Sequence, residues 1–301
     1  MRPTLRQMEY IVAVAETGTI SEAAERCFVS QPSMSAQLKD MEEYLDVPLL
    51  ERSRSGATLT PFGKEFVARA RIILSQVQAL KVLAKDVEGS LAGIVRLGTL
   101  PTVGPYLLPR AARVLHKAYP ELKLEIREER TIDLHEDLMS GVLDVIISTP
   151  EDHPGTRSFP VVQENIYICV APDDPLAEST GKVPLKSLKG RELMTLGYGH
   201  KFAVVVQTLA ASAGAITRNA YEGTSLDAIR QMANMGVGVG VFPSLYAISE
   251  AKRDRKLIVR QIEHRLASRQ ISLIWREASP LGDKFTSVGE VIAKVARDIM
   301  S

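Results

Sequence analysis

The stretch LMTLGYGHKF, residues 193–202, holds the arrangement closest to chemistry. Its apolar residues Leu193, Met194 and Leu196 end at Gly197 and Gly199 and deliver His200 just ahead of a helical pattern. A histidine so placed suits a catalytic base, a phosphate loop, a metal ligand or one wall of a sensor pocket. The rest of the chain offers catalysis little. It has no G-x-S-x-G elbow and no P-loop, and His116, His135, His153, His200 and His264 show no metal-ligand spacing. No nucleophile or base partner for His200 is identifiable, so no enzyme, metal or cofactor is expected. Cys27 and Cys169 form no spaced motif and no disulfide framework. Cys169 alternates with Ile168 and Val170 in IYICVA and reads as a core thiol. Gly236, Gly238 and Gly240 alternate in GVGVG, but they lead into a strand instead of from strand to helix, so a closely packed strand fits better than a dinucleotide turn.

Hydroxyl residues recur at comparable points. In open α/β sheets a ligand binds beyond the carboxyl ends of the strands, where helix N-termini present free N–H groups and favour negative charge. Thr102 follows RLGTL, Thr131 opens the helix after LEIREE, Thr149 ends LDVIIST, and Thr224 and Ser225 open SLDAIRQMA. Each alone suits a helix cap. Their recurrence points to a cleft of hydroxyls, backbone donors and His200, fitted to a small polar or anionic molecule. Lys201, beside His200, adds a cation if it faces that cleft; pointing to solvent is the alternative.

The elements that must position these residues alternate in type. IVRLGT, PYLLPRAARVLHKAY, LKLEIREE, TIDLHEDLMSG and LDVIIST read β, α, β, α, β, which implies a parallel sheet with helices on both faces. PVVQENIYICVAP crosses to a second unit near residues 161–165, and the chain returns near 267–271 before a final helix, SVGEVIAKVARDIM. The expected result is two small α/β lobes.

The first ninety residues have another texture. Leu5, Met8, Ile11, Val12 and Ala15 repeat at helical spacing until Gly18 breaks it. Thr19 and Glu22 form a capping box for ISEAAERCF, expected to run to Phe28. Val29 and Ser30 turn the chain into QPSMSAQLKDMEEYL, with Ser30 as N-cap and Pro32 in the first turn. Two short helices so joined match a helix-turn-helix, whose second helix enters the major groove by its N-terminus. Gln31, Ser33, Ser35 and Gln37 are uncharged donors and acceptors suited to base edges and phosphates, while Met34, Leu38 and Met41 face the core. A plain solvated helix face would carry the same polar residues. PLLERSRSGATLT reads as a wing, with Arg52 and Arg54 near its tip for the DNA backbone or minor groove.

Thr60 and Pro61 then start a long helix ending near Glu88 and Gly89. Phe66, Ala70, Ile73, Val77, Leu80, Ala84 and Val87 make a heptad seam along roughly 40 Å of helix. Such a seam wants a second helix. A second copy of the chain supplies one, and packing on its own domain is the alternative.

Bulk charge gives no help. The chain carries a net +1, and residues 1–90 hold 11 Lys plus Arg against 12 Asp plus Glu, so DNA binding rests on motif and placement. Hydrophobic content of 45% and charged content of 24% are those of a soluble globular protein. No run of 18 apolar residues suggests a membrane span, and MRPTLRQMEY leads into no signal peptide, so a cytoplasmic place is expected.

The run VSQPSMSAQLKDMEEYLDVPLLERSRSGATLTPFG closely resembles the signature of LysR-type transcriptional regulators. The whole chain is similar to that family's α/β plan. The resemblance implies a winged helix-turn-helix over residues 1–60 and a dimerising linker helix over 61–89. Residues 90–301 would form a two-lobed effector domain like type 2 periplasmic binding proteins, with lobe I at about 90–163 and 269–301 and lobe II at about 164–268. It also implies a homodimer assembling to a homotetramer, binding to promoter DNA, contact with RNA polymerase and a switch driven by a small effector. By the family pattern Ser30, Gln31, Pro32, Ser33 and Ser35 would meet DNA, with Arg52 and Arg54 from the wing. Thr102, Thr131, Thr149, His200, Lys201, Thr224 and Ser225 would face the effector. LGTLPTVGPYLLP and TSLDAIRQMANMGVGV are most similar to the peroxide-sensing OxyR group. That group keeps a reactive cysteine directly after its histidine and a resolving one nine residues on. Here those positions hold Lys201 and Ala210, neither of which forms a sulfenate or a disulfide. A redox response through the non-standard Cys169 stands as the alternative to a bound effector.

Overall fold

A capping box opens the first helix: the Thr4 hydroxyl accepts from the Gln7 N–H, and the Gln7 side chain accepts from the Thr4 N–H. This helix, α1 (Leu5–Thr17), closes on left-handed Gly18. α2 (Ile20–Arg26) follows, with the Thr19 hydroxyl accepting from the Glu22 N–H. The sequence pattern carries α2 to Phe28, but it stops at Arg26, because Phe28 adopts left-handed backbone with φ 57°. α3 (Gln31–Leu45) is capped by Ser30, whose hydroxyl accepts from the Ser33 N–H. Met34, Leu38 and Met41 are fully buried among Ile11, Val14, Ala23 and Ala24. Each such side chain contributes roughly 2 kcal/mol of burial.

β1 (Leu50–Ser53) and β2 (Gly56–Leu59) form the wing hairpin. One Glu42 carboxylate oxygen accepts from both the Leu49 and Leu50 N–H groups and so anchors the hairpin's base to α3. Thr60 joins the wing to α4 (Pro61–Lys85): its hydroxyl accepts from the Gly63 N–H and donates to the Pro48 carbonyl. A Cβ at Gly63 would lie 2.1 Å from the Leu49 carbonyl oxygen, so only glycine lets the helix start this close to the strand.

The computed structural model describes residues 3–53, 56–85, 93–178, 180–197, 199–217, 225–254 and 257–301; for residues 52, 53, 79 and 81–85 only the backbone is described. The chain divides into two compact units, residues 1–90 with 136–143, and residues 91–135 with 144–301. No helix among the described residues is long and apolar enough to cross a membrane.

Beyond α4 come β3 (Gly93–Thr99), α5 (Gly104–Ala118), β4 (Leu122–Glu128), α6 (Thr131–Met139) and β5 (Val145–Ser148). A short 3-10 turn, Pro150–Asp152, leads to the fifteen-residue β6 (Thr156–Val170). Next are α7 (Pro175–Glu178), β7 (Val183–Pro184), β8 (Glu192–Met194), α8 (Lys201–Ala213), β9 (Ile216–Thr217), α9 (Leu226–Asn234) and β10 (Val239–Pro243). α10 (Ser244–Arg253), β11 (Ile258–Glu263), β12 (Ser268–Arg276) and α11 (Gly282–Met300) complete the chain.

Two strands make the two lobes. Residues 156–165 of β6 pair antiparallel with β12, while residues 166–170 pair with β10 and β11. One lobe therefore carries the strand order β4-β3-β5-β12-β6, and the other carries β6-β10-β8-β9 with β11 and β7 on the far edge of β6. The expectation of a parallel sheet holds for β3 with β4 and β5 and for β8 with β9 and β10. β6 and β12, the segments expected to cross and return, leave and return in opposite directions and so pair antiparallel. Asn165 and Ser268 face each other where the chain passes between lobes. Leu97, Leu107, Leu115, Ile146, Leu273, Phe285 and Ile292 are fully buried in the first lobe, and Ile166, Val206, Leu209, Val239 and Val241 in the second.

Candidate functional site

At the N-terminus of α3, Ser30, Gln31, Pro32 and Ser33 are exposed, and Ser35 is half-buried. The buried Gln7 amide donates to the Gln37 carbonyl at 3.1 Å and fixes α3 against α1. Arg52 stands opposite Ala57 in the wing register, and Arg54 lies outside the described residues. Along α4, Phe66 packs partly on the head's core, whereas Ile73 and Leu80 are 41% and 65% exposed. The Ala84 side chain and Val87 lie outside the described residues.

In the second unit a cleft of about 270 Å³ opens between the two lobes. Thr102, Thr131, Thr149, His200 and Lys201 line it together with Asp152, Phe202 and Arg269. The fold explains the convergence. Thr102 lies just ahead of α5, Thr131 is the first residue of α6, Thr149 precedes the 3-10 turn and His200 is the N-cap of α8. Free backbone donors and positive helix ends thus gather on one space. Gly199 takes φ 90°, and a Cβ there would stand 3.1 Å from Arg130 Cδ, so glycine lets the loop deliver His200.

The His200 ring is buried, and its Nε2 has no partner among the described residues. Burial first, and Arg130 second, lower its pKa, so the imidazole is neutral at neutral pH. The positive charge at the start of α8 belongs to Lys201, whose Nζ lies 3.7 Å from Asp152 Oδ1 on the opposite lobe. Burial raises the Asp152 pKa against the pull of Lys201. Arg269 on β12 supplies a second, fixed cation. Its Nε and Nη2 donate to Glu164 Oε2 at 2.8 and 2.6 Å, and Nη2 also donates to Thr102 Oγ1 at 2.9 Å. The Leu245 N–H donates to the other Glu164 oxygen at 2.9 Å, and the guanidinium carbon sits 5.0 Å from the centre of the Phe202 ring. Asp152, Glu164 and Arg269 were not foreseen. A signal existed: Glu164 and Arg269 are opposite charges inside the two segments recognised as crossings.

One expected effector residue, Ser225, does not line this cleft. Ser225 is exposed, and its hydroxyl accepts from the Ala228 N–H as the cap of α9. It borders an adjoining recess of about 380 Å³ that shares His200 with the cleft and is also lined by Tyr106, Glu128, Arg130 and Asp227. In that position Ser225 acts as a helix cap. Thr224 lies outside the described residues. Cys169 is buried, its Sγ lies 3.4 Å from Asn234 Oδ1, and burial pushes its pKa up to about 12. Among the described residues no group of three His, Cys, Asp or Glu side chains is placed to hold a metal ion.

Family models match both parts of the chain: the bacterial regulatory helix-turn-helix protein of the lysR family over residues 5–64, and the LysR substrate binding domain over residues 88–297. The DNA-binding transcriptional dual regulator OxyR of Escherichia coli K12 is 34% identical over 289 residues, covering 96% of this chain and 94% of that protein. The HTH-type transcriptional regulator EstR of Acinetobacter baylyi is 30% identical over 97% of this chain and 97% of its own length. A full-length OxyR variant from Pseudomonas aeruginosa superposes with a TM-score of 0.80 at 32% identity, covering 98% of this chain and 97% of that one. Full-length CbnR complexed with its target DNA gives 0.56 at 27% identity over 96% and 99%. With a head of this kind joined to a two-lobed cleft, and both matched by the family's models, the chain belongs to the LysR family and is a DNA-binding transcriptional regulator with an effector-binding domain, not an enzyme.

Proposed function

We propose that this regulator binds promoter DNA as a homodimer assembling to a homotetramer, in the cytoplasm and in contact with RNA polymerase. A small polar effector carrying negative charge switches that binding from the cleft. Ser30, Gln31, Pro32, Ser33 and Ser35 read the DNA, with Arg52 and Arg54 on the backbone or in the minor groove. Thr102, Thr131, Thr149, His200 and Lys201 hold the effector. The observation that carries the reading is the convergence of Lys201 with the starts of α6 and α8, and with Thr102 ahead of α5, on one cleft. Ile73 and Leu80, apolar and exposed at heptad spacing, support the dimer. Thermal denaturation of the full chain with a panel of small carboxylates, phosphate, sulfate and their uncharged analogues tests it. At least one anion should raise the midpoint while its neutral analogue does not, and Lys201→Met should remove the rise. A response confined to neutral or cationic compounds contradicts it.

Several relatives are named hydrogen peroxide-inducible genes activators, which favours a second reading, a redox response through Cys169. Its burial and raised pKa oppose that, since the thiolate is the reactive form. A reporter strain decides. Loss of a peroxide response in Cys169→Ser supports the redox reading, and its full retention removes it.

A further inference from the structure

One large aromatic side chain of the head is almost wholly exposed. Phe28, between α2 and α3, is 95% exposed, against 43–59% for Leu5, Tyr44 and Phe62. Two costs fall on it: an apolar ring in water, and a left-handed backbone that a β-carbon disfavours. The neighbours impose that backbone. The Phe28 N–H donates to the Glu25 carbonyl at 3.1 Å, the Val29 N–H to the Ala24 carbonyl at 3.0 Å, and the Arg6 guanidinium to the Cys27 carbonyl at 2.9 Å. Glycine would fill such a turn without either cost. The ring contributes almost no buried surface to the fold, so its use lies outside it. Its position says where. Ser30, Gln31, Pro32 and Ser33, the exposed residues at the start of α3, come next in the chain, and a helix-turn-helix brings that end to the base edges. A ring without charge gains little from phosphates. The apolar feature of the major groove is the thymine 5-methyl group.

We propose that Phe28 packs on the 5-methyl group of a thymine in the target DNA, adding apolar readout to the polar readout from α3. The proposal rests on DNA binding by this head. The test uses the full chain and a duplex that it selects from a random-sequence pool, titrated by mobility shift at one fixed salt concentration. Each thymine is replaced in turn by deoxyuridine. The wild-type protein should lose about fourfold in affinity at one thymine of each half-site, the worth of one methyl group. Phe28→Gly should bind the unsubstituted duplex about tenfold more weakly and should no longer distinguish thymine from deoxyuridine there. Its thermal midpoint should equal or exceed the wild type's, because glycine relieves the left-handed backbone; a merely structural residue would lose stability instead. Phe28→Leu should keep part of the discrimination. Equal affinity of wild type and Phe28→Gly, or a loss identical on every substituted duplex, overturns the proposal. Failure of the wild type to select any sequence overturns DNA binding itself and this contact with it, so the two failures are told apart.

Discussion

His200 and Lys201 are chain neighbours with different electrostatic parts. Burial keeps the imidazole neutral, a hydrogen-bonding group whose Nε2 has no partner among the described residues, while the adjacent ammonium faces Asp152 across the cleft. Lys201→Met should weaken an anionic effector by roughly tenfold, and Lys201→Arg should keep most of the affinity, measured by calorimetric titration. Similar affinities for all three proteins would remove Lys201 from the site. A second buried imidazole gives a pH dependence. His153 Nε2 lies 2.8 Å from Ser148 Oγ and its Nδ1 3.4 Å from His135 Nδ1; burial, then His135, pushes its pKa down to about 4. The unfolded chain takes up that proton near pH 6.5, so between there and pH 4 it binds more protons than the folded chain, and stability falls as pH drops. The loss should amount to roughly 2 kcal/mol across this window in denaturant titrations, and His153→Gln should flatten it. Five of the seven expected effector residues meet in the cleft because each sits at a strand end or helix start, a local feature that sequence reveals. For Arg269 the sequence offers only its charge opposite that of Glu164 in the other crossing segment; the bond itself spans 105 residues and depends on how β6 and β12 come into register.

α4 carries two kinds of contact. Its first turns belong to the head, where Val67 and Ala70 are buried, and its later turns expose Ile73 and Leu80. The heptad spacing was visible in sequence, whereas the share of the seam taken by the head's own core was not, because that depends on tertiary packing. Leu80→Asp places a charge in the proposed seam and should weaken self-association at least about a hundredfold in sedimentation velocity, leaving the head's fold intact. Unchanged association would assign dimerisation elsewhere. The helix-turn-helix was readable because caps and turns are local: the Thr19 and Ser30 hydroxyls each cap a helix, with the Thr19–Glu22 N–H half of the expected capping box seen, and α2 ends at Arg26, ahead of Phe28. The sheets were less readable. Their strand order is set by β6 and β12 crossing between lobes, a non-local pairing that helix and strand periodicities do not encode.

Those crossing strands also organise the regulatory unit as a whole. The Glu164–Arg269 pair sits beside the passage between lobes, ties Thr102 and the start of α10 to it, and is nearly sealed from solvent. Arg269→Met strands a buried carboxylate and should cost about 3–5 kcal/mol in urea unfolding, most of it recovered in the double substitution Arg269→Met with Glu164→Gln. No recovery would mean that packing of the arginine on Phe202, not the pair, carries the stability. The central claim is that a charged molecule in the cleft, and not a thiol, controls DNA binding. Its most direct measurement is a footprint of the full chain on its selected DNA, at fixed salt, with small carboxylates in one series and hydrogen peroxide in another. At least one carboxylate should shift the protected region, Lys201→Met should abolish that shift, and peroxide should leave the footprint unchanged. A shift produced by peroxide and lost in Cys169→Ser would contradict the account.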